Sequence, residues 1–296
     1  MENLKKSKIV QDGKKLLISS ISRLNPELAT RILFYFSQGY PLDLKNPKTL
    51  NEKLQYLKLH DYYKNDLVTQ VVDKYRVREY IKSLGLGYTL TNLVGKEVYD
   101  NVDDIHMKDM PKAFVLKCNH DSGSVVICKN KDDFDWGKEK RKLRKSLKKD
   151  YWTDNCEVQY KFVPKRIIAE EYIQSDQGLI DYKFFCFNGK PLFLYCTFPH
   201  EEEQYQMRFY DLNWKPLSFR RTDTQDLKRE ISKPERLEEM VEISKKLSED
   251  FPFARIDLYN VGEKIYFSEI TLLPTGGLGK YDDKNIDRKL GDLLEI

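Results

Sequence analysis

Apolar and polar residues alternate most regularly over residues 253–271, where aromatic and β-branched residues are also enriched. The pattern predicts two strands joined by a tight turn at 261–264. Strand side chains alternate faces, so Arg255, Asp257 and Tyr259 share one face of the first strand, and Phe267, Glu269 and Thr271 share one face of the second. The turn decides whether those faces coincide. A two-residue loop at Gly262 and Glu263 pairs Asp257 with Ser268 and points Glu269 to the other side. A three-residue loop ending at Lys264 pairs Asp257 with Glu269 and Arg255 with Thr271. That second register sets two carboxylates opposite each other, which is unfavourable unless a cation or proton sits between them. The alternation fits equally an ordinary hairpin whose acids face water.

Upstream, helical spacing comes first. It runs over residues 16–33 and restarts at Asn25 and Pro26, a capping residue followed by a first-turn proline. A second helix, from Thr49 or Asn51 to His60, buries Leu54, Tyr56, Leu57 and Leu59. A third is capped by Asp73, carries the stripe Val77, Tyr80, Ile81 and Leu84, and stops at Gly85. Lys74 then falls in its first turn, where a cation opposes the helix dipole and hints at an anionic partner; a solvated surface lysine fits the same position. Strands are predicted at 113–118 and 124–129, around the small polar loop 119–123. A strongly basic helix follows at 137–152, with Leu143, Leu147 and Tyr151 on one side. Residues 164–173 read as a strand. Residues 181–196 read as a hairpin turning at Asn188 and Gly189, with Asp181 and Lys183 on one face. A strand pair over 207–217, a helix over 234–251, the loop 274–279 and a last short helical stretch complete the chain.

Composition narrows the function classes. With 296 residues the chain can form one large or two ordinary domains. Its 19 Tyr and 15 Phe are too many for a disordered chain. The net charge of +4, from 51 basic and 47 acidic residues, argues against a dedicated nucleic-acid binder. No apolar run approaches the ~20 residues of a membrane span, and the charged N-terminus lacks a signal-peptide core, so a cytoplasmic location is expected. Five cysteines without a CxxC pair read as reduced thiols.

Lys117 ends an apolar strand just before the loop holding Ser122, Gly123 and Ser124. Exposed backbone N–H groups there can wrap a phosphate while the lysine supplies a point charge, although a plain hairpin loop fits too. GxxxxGK[ST], GxGxxG and zinc spacing are all missing. The basic helix can bind lipid or nucleic acid, but its narrow apolar side fits better a solvated face on a moving subdomain.

Taken in order, Asp73-Lys74, the strand ending at Lys117, the small-residue loop, the basic segment, the acidic strand near 170, Asp181-x-Lys183, Arg255-x-Asp257 and Glu269-x-Thr271 resemble the ATP-grasp superfamily. The likeness is to its TupA-like branch, found with bacterial surface-polysaccharide genes, and runs from about residue 47 to the C-terminus. The resemblance implies an α+β ATP-grasp fold of two α/β subdomains, a mobile lid and a catalytic antiparallel sheet, gripping ATP behind a helical N-terminal region. The corresponding segments are 1–46 (helical preface), 47–111 (N-terminal pre-grasp), 112–170 (lid) and 171–296 (catalytic). It implies that Lys74 and Lys117 contact ATP phosphates under a loop containing Ser122, Gly123 and Ser124. Glu170, Glu171, Tyr172 and Ile173 become the adenine hinge, with Asp176 or Asp181 near the ribose. Lys183 lies near the transferred phosphoryl group, and Arg255 steadies the acyl intermediate. Asp257, Glu269 and Thr271 become the Mg²⁺ ligands. Most relatives have Glu-x-Asn where this chain has Glu269-x-Thr271, so Thr271 would act through its hydroxyl or a water.

The implied reaction is ATP- and Mg²⁺-dependent ligation of a carboxylate to an amine through an acyl phosphate. The branch's context points to a hexuronic-acid carboxylate of a capsule or other surface glycan, or its precursor, joined to an amino acid or small amine. His120, His200, Arg208 and the Gly276-Gly277 loop sit where an acceptor could be met. A sugar kinase on the same scaffold, a glycosyltransferase and a non-catalytic binding module are the alternatives.

Overall fold

Asn25 caps a helix as its place before a proline predicts: its side chain accepts from Leu28 N, ending α1 (Glu2–Leu24) and starting α2 (Pro26–Gln38). The computed structural model describes residues 2–175, 178–198 and 206–296. A full capping box between Thr49 and Glu52 starts α3 (Leu50–His60).

The predicted third helix starts later than Asp73, as α5 (Val77–Ser83), and a separate helix, α4 (Asp66–Val72), precedes it, with Lys74 in the turn between them. The reason is tertiary. Asp73 Oδ1 accepts from Tyr75 N and Arg76 N, but also from Asn119 Nδ2 at 2.9 Å, while Lys74 N donates to Asn119 O. These bonds tie the turn to the loop after Lys117. The helix-dipole argument for Lys74 therefore falls away.

Next in the chain come β1 (Leu93–Tyr99), β2 (Phe114–Cys118), β3 (Val126–Cys128), α6 (Trp136–Lys148) and β4 (Ile167–Glu171). They build an antiparallel sheet in the order β1-β4-β2-β3. Leu143 of α6 packs with Phe114, Leu116 and Ala169 in a small core of its own. Tyr151 lies beyond α6, in a 3-10 turn at Tyr151–Thr153, so the expected helical stripe ends earlier. β1 falls in the segment 47–111, and a boundary at 111/112 would detach it from the sheet it completes.

The second sheet holds β5 (Asp181–Phe187), β6 (Lys190–Thr197), β7 (Arg208–Asp211), then, after α7 (Leu237–Ser248), β8 (Phe253–Val261) and β9 (Lys264–Thr271), in the order β7-β6-β5-β8-β9. Of the strand pair expected over 207–217 only β7 is a strand. The return leg touches it through a single Tyr210–Pro216 bridge, made by Asp211 N to Lys215 O and Leu217 N to Phe209 O. Phe184, Cys186 and Ile256 on the sheet's back pack with Met240 and Leu247 of α7. Last is α8 (Lys284–Asp292), which crosses α3. Among the described residues no helix is long and apolar enough to cross a membrane.

That crossing depends on Gly291. A Cβ there would lie 2.1 Å from Lys48 O and 2.7 Å from Thr49 C, both rigid backbone atoms at the start of α3. Gly291→Ala is expected to cost about 3 kcal/mol, the overpacking range, read as a lower urea midpoint. An unchanged midpoint would mean that α8 does not bear on this segment.

Candidate active site

The register of the β8–β9 hairpin is reached by a route that loop length did not foresee. Val261 pairs with Lys264, so the turn has two residues, yet Asp257 pairs with Glu269 and Arg255 with Thr271. A bulge makes up the difference. Leu258 pairs with Phe267, leaving Ser268 as the extra residue before Glu269. One unpaired residue turns Glu269 onto the face of Asp257, the arrangement that otherwise needed a three-residue loop.

On that face charge is concentrated. Asp257 is fully buried and carries two cations: Arg255 donates from Nε and Nη2 at 2.7 Å each, and Lys183 Nζ lies 2.5 Å away. Lys183 sits opposite Asp257 on neighbouring β5 and also pairs with Asp181 at 2.5 Å. Arg255 reaches further, to Thr271 Oγ1 at 2.9 Å and Tyr195 Oη at 3.3 Å. Burial opposes the charge on Asp257, but Arg255 and then Lys183 outweigh it and hold the carboxyl below its ordinary range. For Asp181 burial prevails over Lys183, and its carboxyl is pushed up to about 6.

Facing this sheet, the β1-β4-β2-β3 sheet offers a second cluster. Lys117 Nζ lies 2.6 Å from Glu170 across the β2–β4 pair, and Glu170 also accepts from Thr91 Oγ1 at 2.9 Å and has Arg78 3.6 Å away. Burial works against the Glu170 carboxylate, but Lys117 prevails and keeps it below the usual range. Burial would lower Lys117; Glu170 and Tyr259 outweigh it and raise it. Lys74 bridges the two halves, donating to Asp121 O at 2.5 Å and standing 3.5 Å from Glu269. Asn119 fixes the phosphate-loop candidate by its bonds to Asp73, Pro164 O and Arg166 N.

Between the sheets lies a cavity of about 340 Å³. It is lined by Lys74, Lys117, Ser122, Gly123, Glu170, Glu171, Tyr172, Ile173, Asp181, Lys183, Asp257 and Glu269, together with apolar Val115, Ile127 and Phe267. Twelve positions singled out by sequence thus border one space. Ser124 does not: its hydroxyl accepts from Cys118 N and donates to Asp121, bracing the loop from within. Arg255 and Thr271 stand behind Asp257 rather than on the cavity wall. Glu171 spends its carboxylate on Asn92 N and Nδ2, while Tyr172 and Ile173 leave the strand and line the cavity. Arg208 is turned to Asp226. Asp176 and His200 lie outside the described residues. Sequence reasoning missed Arg78, Thr91 and Tyr195, whose partners are 60 or more positions away; only their polarity beside apolar neighbours marked them.

The donor set can be tested against Mg²⁺. Two facing carboxylates and a threonine hydroxyl are hard oxygen ligands, and Mg²⁺ is commonly held by one or two carboxylates plus phosphate oxygens. Among the described residues no group of three or more His, Cys, Asp or Glu could hold a metal alone. The residues therefore fit an ion that arrives with phosphate.

A family model described as TupA-like ATPgrasp matches residues 52–295. No curated protein matches the chain. Among solved structures, it is similar to D-alanine–D-alanine ligase from Bacillus anthracis, at 20% identity and a TM-score of 0.39 over 69% of this chain and 56% of that one. It is also similar to D-alanine–D-alanine ligase from Helicobacter pylori, at 17% and 0.43 over 83% and 69%. A third likeness is to N5-carboxyaminoimidazole synthase from Aspergillus clavatus, in complex with ADP and 5-aminoimidazole ribonucleotide, at 11% and 0.39 over 69% and 44%. The chain thus spans little more than half the length of the Bacillus anthracis ligase.

Proposed function

The chain belongs to the TupA-like ATP-grasp family, and from that premise we propose that it is an ATP-dependent ligase joining a carboxylate to an amine through an acyl phosphate. The observation that supports this most is the meeting of cations, Lys117 from one sheet with Lys74 from the turn beside it and Lys183 from the other sheet, over the Asp257–Glu269 pair in one cavity. Lysines act there as point charges for phosphate oxygens, and Ser122 and Gly123 offer backbone N–H groups above them. The adenine belongs against Tyr172 and Ile173, whose backbones are released from the strand ladder, between Val115, Ile127 and Phe267. Glu269, with Asp257 and Thr271 beside it, would hold Mg²⁺, which would neutralise the phosphates' charge.

In the reaction a carboxylate oxygen attacks the γ-phosphorus, the bond to the β–γ bridging oxygen breaks, and ADP leaves. Arg255 keeps a fixed guanidinium behind the reacting face, oriented by Asp257 and Thr271. The amine then attacks the acyl carbon, phosphate departs and an amide remains. The β2–β3 hairpin and its loop lie over the cavity and keep water from the acyl phosphate. We assign a hexuronic-acid carboxylate of a surface glycan or its precursor as the acid, and a small amine as the acceptor.

Phosphorus NMR of Mg²⁺-ATP with a panel of uronic acids and amines tests this. ADP and free phosphate should appear only when acid and amine are both present; ADP with a stable phosphate ester would make the protein a kinase instead. Mg²⁺-ATP should also protect Lys117, whose side chain is partly exposed beside Glu170, from amine-reactive labelling. Equal labelling at saturating nucleotide would remove Lys117 from the phosphate site.

A further inference from the structure

Away from the active site, one element shows its sides reversed. α1 and α2 form a helical hairpin bent at Asn25, and both precede residues 52–295, the part that matches the family model. Apart from Ile21, the side of α1 held to the body of the protein is polar. Ser22 is buried and donates to Thr153 O at 3.3 Å, Ser19 Oγ donates to Thr153 Oγ1 at 2.9 Å, and Arg23 Nη2 reaches Asp150 at 2.9 Å. The opposite side carries Leu16, Leu17 and Leu24, which are 70%, 62% and 88% exposed. Leu17 and Leu24 lie two turns apart and so share a stripe. α2 buries Ala29, Thr30 and Phe34 and leaves Leu28, Tyr35 and Phe36 exposed, Phe36 at 80%. The two stripes meet at the bend, where Leu24 and Leu28 flank Asn25.

A surface helix ordinarily buries its apolar stripe and gives its polar side to water. α1 does the opposite, binding the body through serines and showing leucines. A single exposed leucine needs no explanation, but six large apolar or aromatic side chains on two adjoining helices do.

Charge says what covers them. Residues 1–40 hold seven Lys and Arg against three Asp and Glu, an excess of four that equals the excess of the whole chain. The remainder of the chain is balanced. Lys5, Lys6, Lys8, Lys14 and Lys15 all precede Leu16 along α1. A second copy docked on the same face would bring this basic excess against itself. A surface of anionic lipid headgroups attracts it instead, and helices with leucines and aromatics beside lysines suit the boundary between headgroups and acyl chains. We propose that the α1–α2 hairpin docks the protein on an anionic membrane surface. Leu16, Leu17, Leu24, Leu28, Tyr35 and Phe36 enter the interface, and the lysines of α1 meet the headgroup phosphates. The bonds from Ser19, Ser22 and Arg23 carry the body with the hairpin. The proposal stands apart from the ligase reading, since no residue lining the nucleotide cavity takes part.

Co-sedimentation of the full chain with vesicles of mixed phosphatidylglycerol and phosphatidylcholine tests it, beside vesicles of phosphatidylcholine alone. The protein should pellet with the anionic vesicles, less so as salt is raised, and far less with the neutral ones. The double variant Leu24→Ser, Phe36→Ser should partition about tenfold more weakly or worse, because two large apolar side chains leave the interface. Both side chains are exposed, so its urea midpoint should match wild type. Failure of the wild-type chain to bind anionic vesicles, or equal binding to both kinds, overturns the proposal. So does binding that survives the double variant, which would put the lipid contact on another basic surface such as α6. A dimer in sedimentation equilibrium that the double variant dissociates overturns it as well and assigns the face to a second copy.

Discussion

Asp257→Asn is expected to destabilise the protein by ~3–5 kcal/mol, the cost of removing one partner from a buried ion pair. Asp257 has no exposed surface and is the shared counter-ion of Arg255 and Lys183. An amide in its place offers one neutral oxygen and turns an N–H₂ toward one of two cations that remain buried and charged. Against a total of roughly 5–15 kcal/mol this is a large part of the stability. The urea midpoint reads it. Lys183→Met in the same chain should recover part of the loss, because the two sites touch and their effects do not add. A midpoint equal to wild type for Asp257→Asn alone would show that water or another anion already shares the charge. The pH dependence has a definite sign. Asp257 is held below its ordinary range, so its contribution is present above about pH 4 and is lost as pH falls further. Asp181, raised to about 6, works oppositely: its contribution is present in acid and is lost as pH rises through 6.

How far the site was legible depended on the range over which each feature is determined. Facing of Arg255, Asp257 and Tyr259 follows from the two-residue period of a strand, and the Asn188-Gly189 turn from local backbone preference; both were readable. The register was readable only as two alternatives. A bulge at Ser268 is fixed by what packs across the hairpin, where Leu258 and Phe267 are buried as a pair, and local sequence carries no mark of it. Lys74 shows the opposite failure. Helical periodicity was correct for Val77, Tyr80 and Ile81, but Asp73 caps a turn that precedes α5, and its bond from Asn119, 46 positions away, ties that turn, with Lys74 in it, to the loop after Lys117. Arg78 and Thr91 share Glu170 for the same reason: their common partner comes from another part of the chain. The inward polar side of α3 was the least legible. Gln55 and Lys58 read simply as polar positions on a helix, and only the approach of Gly276 and Gly277 turns that side of α3 inward.

Glu269→Gln should separate chemistry from folding in a way that Asp257→Asn cannot. Its side chain keeps 26% of its exposure, and its one ion pair among the described residues is the 3.5 Å contact with Lys74. A partly solvated pair of this length contributes ~1 kcal/mol or less, so the thermal midpoint should move by only a few degrees. Turnover is another matter. Glu269 is the carboxylate of the cross-strand pair left open to the cavity, since Asp257 is already enclosed by Arg255 and Lys183. Gln keeps the shape and one neutral oxygen but removes the charge that would draw Mg²⁺ with its nucleotide. Phosphate release from ATP should fall at least ~10²-fold, with part of the loss returning at high Mg²⁺, because a weakened site fills by mass action. The order of the two variants is therefore diagnostic: Asp257→Asn should lose stability and activity together, whereas Glu269→Gln should lose activity alone. Near-normal turnover in a folded Glu269→Gln protein would take the metal away from this hairpin and leave the bulge at Ser268 without the role that its geometry supports.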